Sequence, residues 1–252
     1  KKGSFIESMK GQVENIQELY FAGGEPLLIP EHYKILEFLV EEGFAKDVNL
    51  RYNSNGLELP DKLFGLWQHF KEVRFNFSID AYGQRNNYIR YPSQWEDVAK
   101  NLKRLDENTR DNTVINIACA VQLLNAGYID ELAEWKMDQG FSKINPSMFG
   151  GGIIGTHLVY LPSYLNVRVL PQKAKLWVKD KLETFIDRQK FNLEFNQHPY
   201  GAQRWNGLIK YMMQEDWSTK LPALREYLTV TDERRGTDYT KTFKELGELI
   251  NE

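Results

Sequence analysis

The chain has 252 residues, enough for one large domain plus a small appendage, and enough to bury a full core. Hydrophobic residues at 42% and charged residues at 27% are ordinary for a globular protein, and a formal net charge of −3 lacks the basic balance of a nucleic-acid binder. The single cysteine, Cys119, excludes an internal disulfide framework and any Cys-only metal site within this chain. No apolar run approaches the roughly 20 residues of a membrane span. Lys1-Lys2-Gly3-Ser4 does not open a signal peptide, so a cytoplasmic location is expected.

Residues 1–15 are polar with scattered Phe5, Ile6 and Met9, and read as a helix covering a sheet edge. A strand from Ile16 to Ala22 ends in Gly23-Gly24-Glu25-Pro26. Ile35, Leu36, Leu39 and Val40 then share one helical face, and Gly43 stops that helix. A second strand, Val48 to Tyr52, ends in Asn53-Ser54-Asn55-Gly56. A helix after Pro60 carries Leu63, Trp67 and Phe70. The third strand, Val73 to Ile79, ends in Ser78-Ile79-Asp80 and leads into a polar loop, Ala81 to Tyr91.

Ser93 and Glu96 have the spacing of a capping box for the helix of Trp95, Val98, Leu102 and Leu105. The fourth strand, Val114 to Val121, is almost wholly apolar. A helix with Ile129, Leu132 and Ala133 ends at Gly140, and Lys143 to Asn145 reads as a short strand. Gly150-Gly151-Gly152 reads as a hinge, and Tyr164 to Val169 alternates like another strand. Pro171 opens a long helix with Ala174, Trp177, Val178, Leu182, Phe185 and Ile186. Residues 196–252 read as a helical or irregular appendage, with Leu208, Ile209, Met212, Met213, Leu221, Leu224 and Leu228 as its apolar positions.

Strands and helices alternate at a period of about 25 to 45 residues, which argues for parallel strands under covering helices. Right-handed crossovers place the C-terminal ends of such strands on one rim, where ligands bind. Gly23-Gly24, Asn53 to Asn55, Ser78 to Asp80 and Val121 are therefore expected to converge. Glycines without Cβ let a ligand approach the main chain, and Pro26 holds Glu25 extended. Plainer readings stand beside this one. Asp80 and Asn53 suit ordinary turns, and Arg90 suits an ion pair. Cys119 suits a buried thiol, Tyr20 and Phe21 suit the core, and the four histidines show no metal-ligand spacing.

With those loops placed, the sequence resembles the radical S-adenosylmethionine (radical SAM) superfamily. Gly23-Gly24-Glu25-Pro26 after a strand resembles its signature loop. Asn53-Ser54-Asn55-Gly56 resembles the next strand end, and Ser78-Ile79-Asp80 with Tyr88-Ile89-Arg90 the one after. Arg234-Arg235-Gly236-Thr237-Asp238-Tyr239 through Phe243 resembles the tail of the branch with a twitch-type C-terminal extension. The resemblance implies a partial (β/α)6 TIM-like barrel over residues 1–170 and a mainly helical, twitch-like extension over 171–252.

It also implies S-adenosylmethionine as a ligand and a [4Fe-4S] cluster in the parent protein. By that resemblance Gly23, Gly24 and Glu25 meet the ligand's amino group, and Asn53 and Asn55 supply amide contacts. Ser78 and Asp80 meet the ribose, Arg90 the carboxylate, and Val121 the adenine. The parent enzyme would cleave S-adenosylmethionine reductively, and the resulting 5′-deoxyadenosyl radical would abstract hydrogen from an unknown substrate, a peptide or a small metabolite. The family's Cys-x3-Cys-x2-Cys run is missing, since the 22 residues before Gly23 contain no cysteine. A fragment is the expectation, with a degenerate relative as the alternative. A non-catalytic barrel module binding a peptide or protein partner is a second reading. An unrelated barrel enzyme using Glu25 and Asp80 as acid and base is a third.

Overall fold

Asn49-Leu50-Arg51-Tyr52-Asn53 and Glu72-Val73-Arg74-Phe75-Asn76-Phe77 change polarity at every residue. A period of two gathers the apolar side chains on one face of a strand, and both segments are strands. The structure is a computed structural model and describes residues 5–144, 153–192, 195 and 201–251. Five strands form one sheet in sequence order: β1 (Glu18–Phe21), β2 (Asn49–Ser54), β3 (Glu72–Ser78), β4 (Thr113–Val121) and β5 (Gly155–Leu158). The β1–β2, β2–β3 and β4–β5 ladders are parallel.

The helices described are α1 (Phe5–Met9), α2 (Pro30–Glu41), α3 (Asp61–Trp67), α4 (Gln84–Ile89), α5 (Trp95–Asn108) and α6 (Ile129–Asp138). The C-terminal region adds α7 (Gln172–Arg188), α8 (Gly201–Gln214), α9 (Leu221–Arg235), α10 (Tyr239–Thr242) and α11 (Lys244–Asn251). This is α/β architecture of parallel strands and helices, consistent with a partial TIM-like barrel followed by a helical C-terminal region.

The chain divides into two compact units: Lys1–Ser78, Asp97–Asn116 and Phe141–Asn145 in one, and Ile79–Glu96, Ile117–Gly140 and Pro146–Glu252 in the other. In the first, Leu50, Tyr52, Val73, Phe75 and Phe77 are fully buried, and Tyr52 and Phe75 meet Trp67 of α3 at ring distances of 5.3 and 5.5 Å. Inside this core the Tyr52 hydroxyl accepts from Trp67 Nε1 (3.2 Å) and lies 2.8 Å from His32 Nε2 of α2. Burial, helped by the nearby Lys62 charge, lowers the His32 pKa to about 4, so its ring is neutral where Nε2 pairs with the Tyr52 hydroxyl. In the second unit Phe185, Phe195 and Trp205 form one fully buried aromatic group.

Several expectations need correction. Tyr164 to Val169 is not a strand but two short 3-10 turns, Ser163–Leu165 and Val167–Val169. The Asn166 side chain accepts from the Arg168 N–H and closes the second turn locally. The capping box does not form. The helix begins at Trp95, one residue too late for Ser93 to be its cap, and Ser93 Oγ has no hydrogen-bond partner among the described residues. The loop Ala81 to Tyr91 contains α4. The strand expected at Lys143 to Asn145 is reduced to one parallel bridge between Ile115 and Ile144, with Asn145 outside the described residues. Gly150-Gly151-Gly152 also lies outside them. Tyr20, expected in the core, is 52% exposed, while Phe21 stacks on Tyr52 at 5.2 Å.

Candidate functional site

In the first unit the loop after β1 turns through two left-handed glycines, Gly23 at φ +87° and Gly24 at φ +56°. A Cβ at either would meet nothing within 4 Å. The glycines are needed for backbone conformation, and open space lies beside them. Glu25 then fastens the loop. Its carboxylate accepts from Ser54 Oγ (2.5 Å), the Asn55 N–H (2.8 Å) and the Leu27 N–H (3.3 Å). Three of roughly four carboxylate acceptor positions are thus filled by the chain itself. Pro26 sits buried at the start of the 3-10 turn that Glu25 caps. Asn55 Oδ1 accepts from the Leu57 N–H at 3.0 Å, an Asx turn.

Gly56 is held more tightly. Its φ is +61°, its carbonyl accepts from Asn101 Nδ2 of α5 at 2.8 Å, and an added Cβ would lie 2.4 Å from the Phe77 ring. The strand ends of β1 and β2 are therefore one cross-braced structure.

The face of these strands opposite the aromatic core is polar. Asn116 Nδ2 donates to Asn76 Oδ1 (3.4 Å), Asn76 Nδ2 to Asn53 Oδ1 (2.8 Å), and Asn53 Nδ2 to Tyr20 Oη (2.6 Å). This ladder crosses four strands. Asn116 is buried, and its Oδ1 has no partner among the described residues. Arg51 adds an ion pair to Glu18 (3.3 Å) and lies over the Tyr20 ring at 5.2 Å. Sequence reasoning chose Asn53 but missed Tyr20, Asn76 and Asn116. The signal was the polar half of the β2 and β3 alternation. Ser78 ends β3, half-buried.

In the second unit Asp80 is the hub. It is 5% exposed; its N–H donates to Asn86 Oδ1 (3.0 Å), and its carbonyl accepts from Asn125 Nδ2 (2.7 Å). Its Oδ1 accepts from the Ala120 N–H (2.7 Å), and Oδ2 lies 2.8 Å from Arg90 Nε, an ion pair whose N–H points off the hydrogen-bond line. Burial raises the Asp80 pKa, and Arg90 with the Ala120 amide offsets only part of that. Asn86 and Asn125, both fully buried, position this carboxylate and carry no signal in the sequence. Val121 is 1% exposed, and its carbonyl accepts from the Val159 N–H at 2.9 Å. Of the ten residues expected at the rim, Gly23, Gly24, Glu25, Pro26, Asn53, Asn55 and Ser78 lie in the first unit, and Asp80, Arg90 and Val121 in the second.

A [4Fe-4S] cluster needs thiolate ligands, and the residues present do not fit one. Cys119 is fully buried, its thiol is pushed well above the usual range by burial and by Asp80, and its Sγ lies 3.5 Å from the Asp80 carbonyl oxygen. Among the described residues no group of three His, Cys, Asp or Glu side chains is placed to hold a metal ion. Among them too, no helix is long and apolar enough to cross a membrane.

Parallel strands with polar and glycine-rich C-terminal ends define an α/β protein, a class in which ligands bind at those ends. The family model of the Radical SAM superfamily matches residues 5–135, just over half of the chain, and the chain belongs to that superfamily. No curated protein matches it.

Proposed function

We propose that this chain is the S-adenosylmethionine-binding part of a radical enzyme, with Gly23, Gly24 and Glu25 receiving the ligand's methionine end. The observation that carries the reading is the β1 loop: two left-handed glycines bordering open space, fixed by the three bonds to Glu25. A backbone braced in this way presents carbonyls at little further ordering cost, which favours an ammonium ligand. Asn53 and Asn55 are assigned to the same unit's polar contacts. The resemblance carries Ser78 and Asp80 to the ribose, Arg90 to the carboxylate and Val121 to adenine.

The superfamily generally uses S-adenosylmethionine with an iron–sulfur cluster, whose chemistry yields a carbon radical for hydrogen abstraction. This chain's residues hold no such cluster, so its own part is binding and orienting. The polar face of Tyr20, Asn53 and Asn76 supports a hydrogen-bonding substrate, a peptide or a polar metabolite. We assign residues 171–252 to a twitch-type extension after a barrel-like region over 1–170. The tail supports this, because Arg235 donates to the Tyr88 carbonyl in the loop that carries Arg90.

The test is calorimetric titration of the chain with S-adenosylmethionine and with S-adenosylhomocysteine. Both are expected to bind. Gly24→Ala, which meets no atom within 4 Å, is expected to fold at a cost of about 1–2 kcal/mol and to lose affinity for both. Absence of binding to the folded chain rejects the reading and leaves the non-catalytic partner-binding module.

A further inference from the structure

Asn101 of α5 is buried, and both N–H groups of its amide are used. Its Nδ2 donates to the Gly56 carbonyl (2.8 Å) and to the Leu57 carbonyl (2.9 Å), while its Oδ1 accepts from Arg104 Nη1 (3.1 Å). Arg104 Nη2 is bonded in turn to Asp61 Oδ1 at the start of α3 (2.6 Å). A guanidinium can only donate, so Arg104 decides which way the amide faces: the oxygen turns to Arg104 and the nitrogen to the two carbonyls. These bonds hold the segment that fastens Glu25. The Gly56 N–H donates to Ser54 Oγ (2.9 Å), Ser54 Oγ donates to Glu25 Oε1, and the Asn55 N–H donates to Glu25 Oε2. Residues 54–57 thus run between two anchors, Glu25 and Asn101, and all of these residues belong to the first unit.

We propose that Asn101 is a positioning residue for S-adenosylmethionine binding. Oriented by Arg104, it pins the end of β2 so that Ser54 and Asn55 meet the Glu25 carboxylate, and the glycine loop is ordered before a ligand arrives. The proposal rests on the reading that this loop receives S-adenosylmethionine. A loop ordered in advance loses less freedom on binding, and such order depends on the shell behind the contact residues. Without the Asn101 amide, two carbonyls lose their donor and the left-handed turn at Gly56 loses its hold from α5. The Ser54 and Asn55 donors then drift from Glu25. Asn101 reaches the ligand loop through residues 54–57 and does no chemistry of its own.

The experiment combines calorimetric titration of the 252-residue chain with S-adenosylmethionine and amide exchange read by NMR. Asn101→Leu is expected to raise the dissociation constant at least about tenfold. It is also expected to speed exchange at the Leu27 and Asn55 amides, which donate to Glu25, while residues 72–78 keep their protection. Asn101→Gln, which still carries an amide donor, is expected to recover part of the affinity. Thr109→Val, which removes the Thr109 Oγ1 bond to the Leu105 carbonyl of the same helix, is the control. It is expected to lower the melting temperature without moving affinity or exchange at the loop. Should Asn101→Leu fail to fold, Arg104→Leu is read in its place and is expected to shift both measurements in the same direction. Unchanged affinity, unchanged exchange at Leu27 and Asn55, or an equal loss of affinity in Thr109→Val each overturn the proposal. If the unaltered chain does not bind S-adenosylmethionine, the reading of the β1 loop falls, and exchange at Leu27 and Asn55 still decides whether Asn101 positions it.

Discussion

Asp80 gathers five contacts from five residues and carries its charge in a nearly closed environment. Its partner Arg90 keeps that charge tolerable. Arg90→Met is expected to cost about 3 kcal/mol, because removal of one partner strands a buried carboxylate. The Asp80 pKa is already raised by burial, and it rises further without the guanidinium. A raised carboxyl pKa favours the folded state at low pH and loses that benefit as pH rises. The deficit of Arg90→Met is therefore expected to be largest at neutral pH and to shrink in mild acid. Urea midpoints at two pH values measure this, and an equal deficit at both would reject it.

His32 works in the opposite sense. Its folded pKa of about 4 lies below the model-peptide value, so its contribution is complete above about pH 6.5 and falls away towards pH 4. The full loss is roughly 3 kcal/mol for one neutral, buried imidazole. His32→Gln is expected to flatten the stability profile across that window while leaving the Trp67–Tyr52 bond in place. Parallel profiles for the two proteins would count against it.

At the scale of elements, the C-terminal tail explains why Tyr88-Ile89-Arg90 stays put. Gly236 ends α9 at φ +64°. Asp232 then accepts from Thr237 Oγ1 (2.6 Å) and the Tyr239 N–H (2.9 Å), turning the chain. Arg235 donates to the Tyr88 carbonyl (3.1 Å) and lies over the Tyr91 ring at 4.8 Å, while Phe243 packs edge-on against Tyr88. Arg235→Ala is expected to cost about 1–2 kcal/mol through that charge-assisted bond. Amide exchange across residues 84–91 is expected to quicken, while residues 30–41 keep their protection. Unchanged exchange in α4 would show that the tail only covers the surface.

The same elements show what the sequence could reveal. Long elements with a clear period were legible: α2, α5, α7 and the first four strands fall within a few residues of where periodicity puts them. β5 was not, because Gly155-Thr156-His157-Leu158 has neither alternation nor β-branched density and is a strand only by pairing with β4. Nor was α4, whose Gln84-Arg85-Asn86-Asn87 start is polar throughout. The glycine loop and the Asp80 end were legible as loops after strands. That Glu25 is a brace, with Asn86 and Asn125 as the carriers of Asp80, depends on partners up to 45 residues away and leaves no local pattern.

At the scale of the whole molecule, membership in the radical SAM superfamily meets a chain with one cysteine. A cluster site needs several thiolates, each deprotonated at working pH and within bonding reach of one centre. Cys119 offers neither condition, being fully buried with its pKa raised. The four histidines do not make good the deficit. His32 is sealed between Tyr52 and Tyr33, and neither it nor His157 has a three-residue ligand group around it among the described residues. Anaerobic incubation of this 252-residue chain with ferrous iron and sulfide is therefore expected to give colourless protein after desalting. No sulfur-to-iron charge-transfer band and no stoichiometric iron are expected, and Cys119→Ser should behave identically. Stoichiometric iron retained by the unaltered chain and lost in Cys119→Ser would mean that the strand carrying Cys119 opens to the metal. Colourless protein that still binds S-adenosylmethionine would separate the two halves of the superfamily's chemistry, with ligand binding in these strands and the electron source supplied by other thiolates.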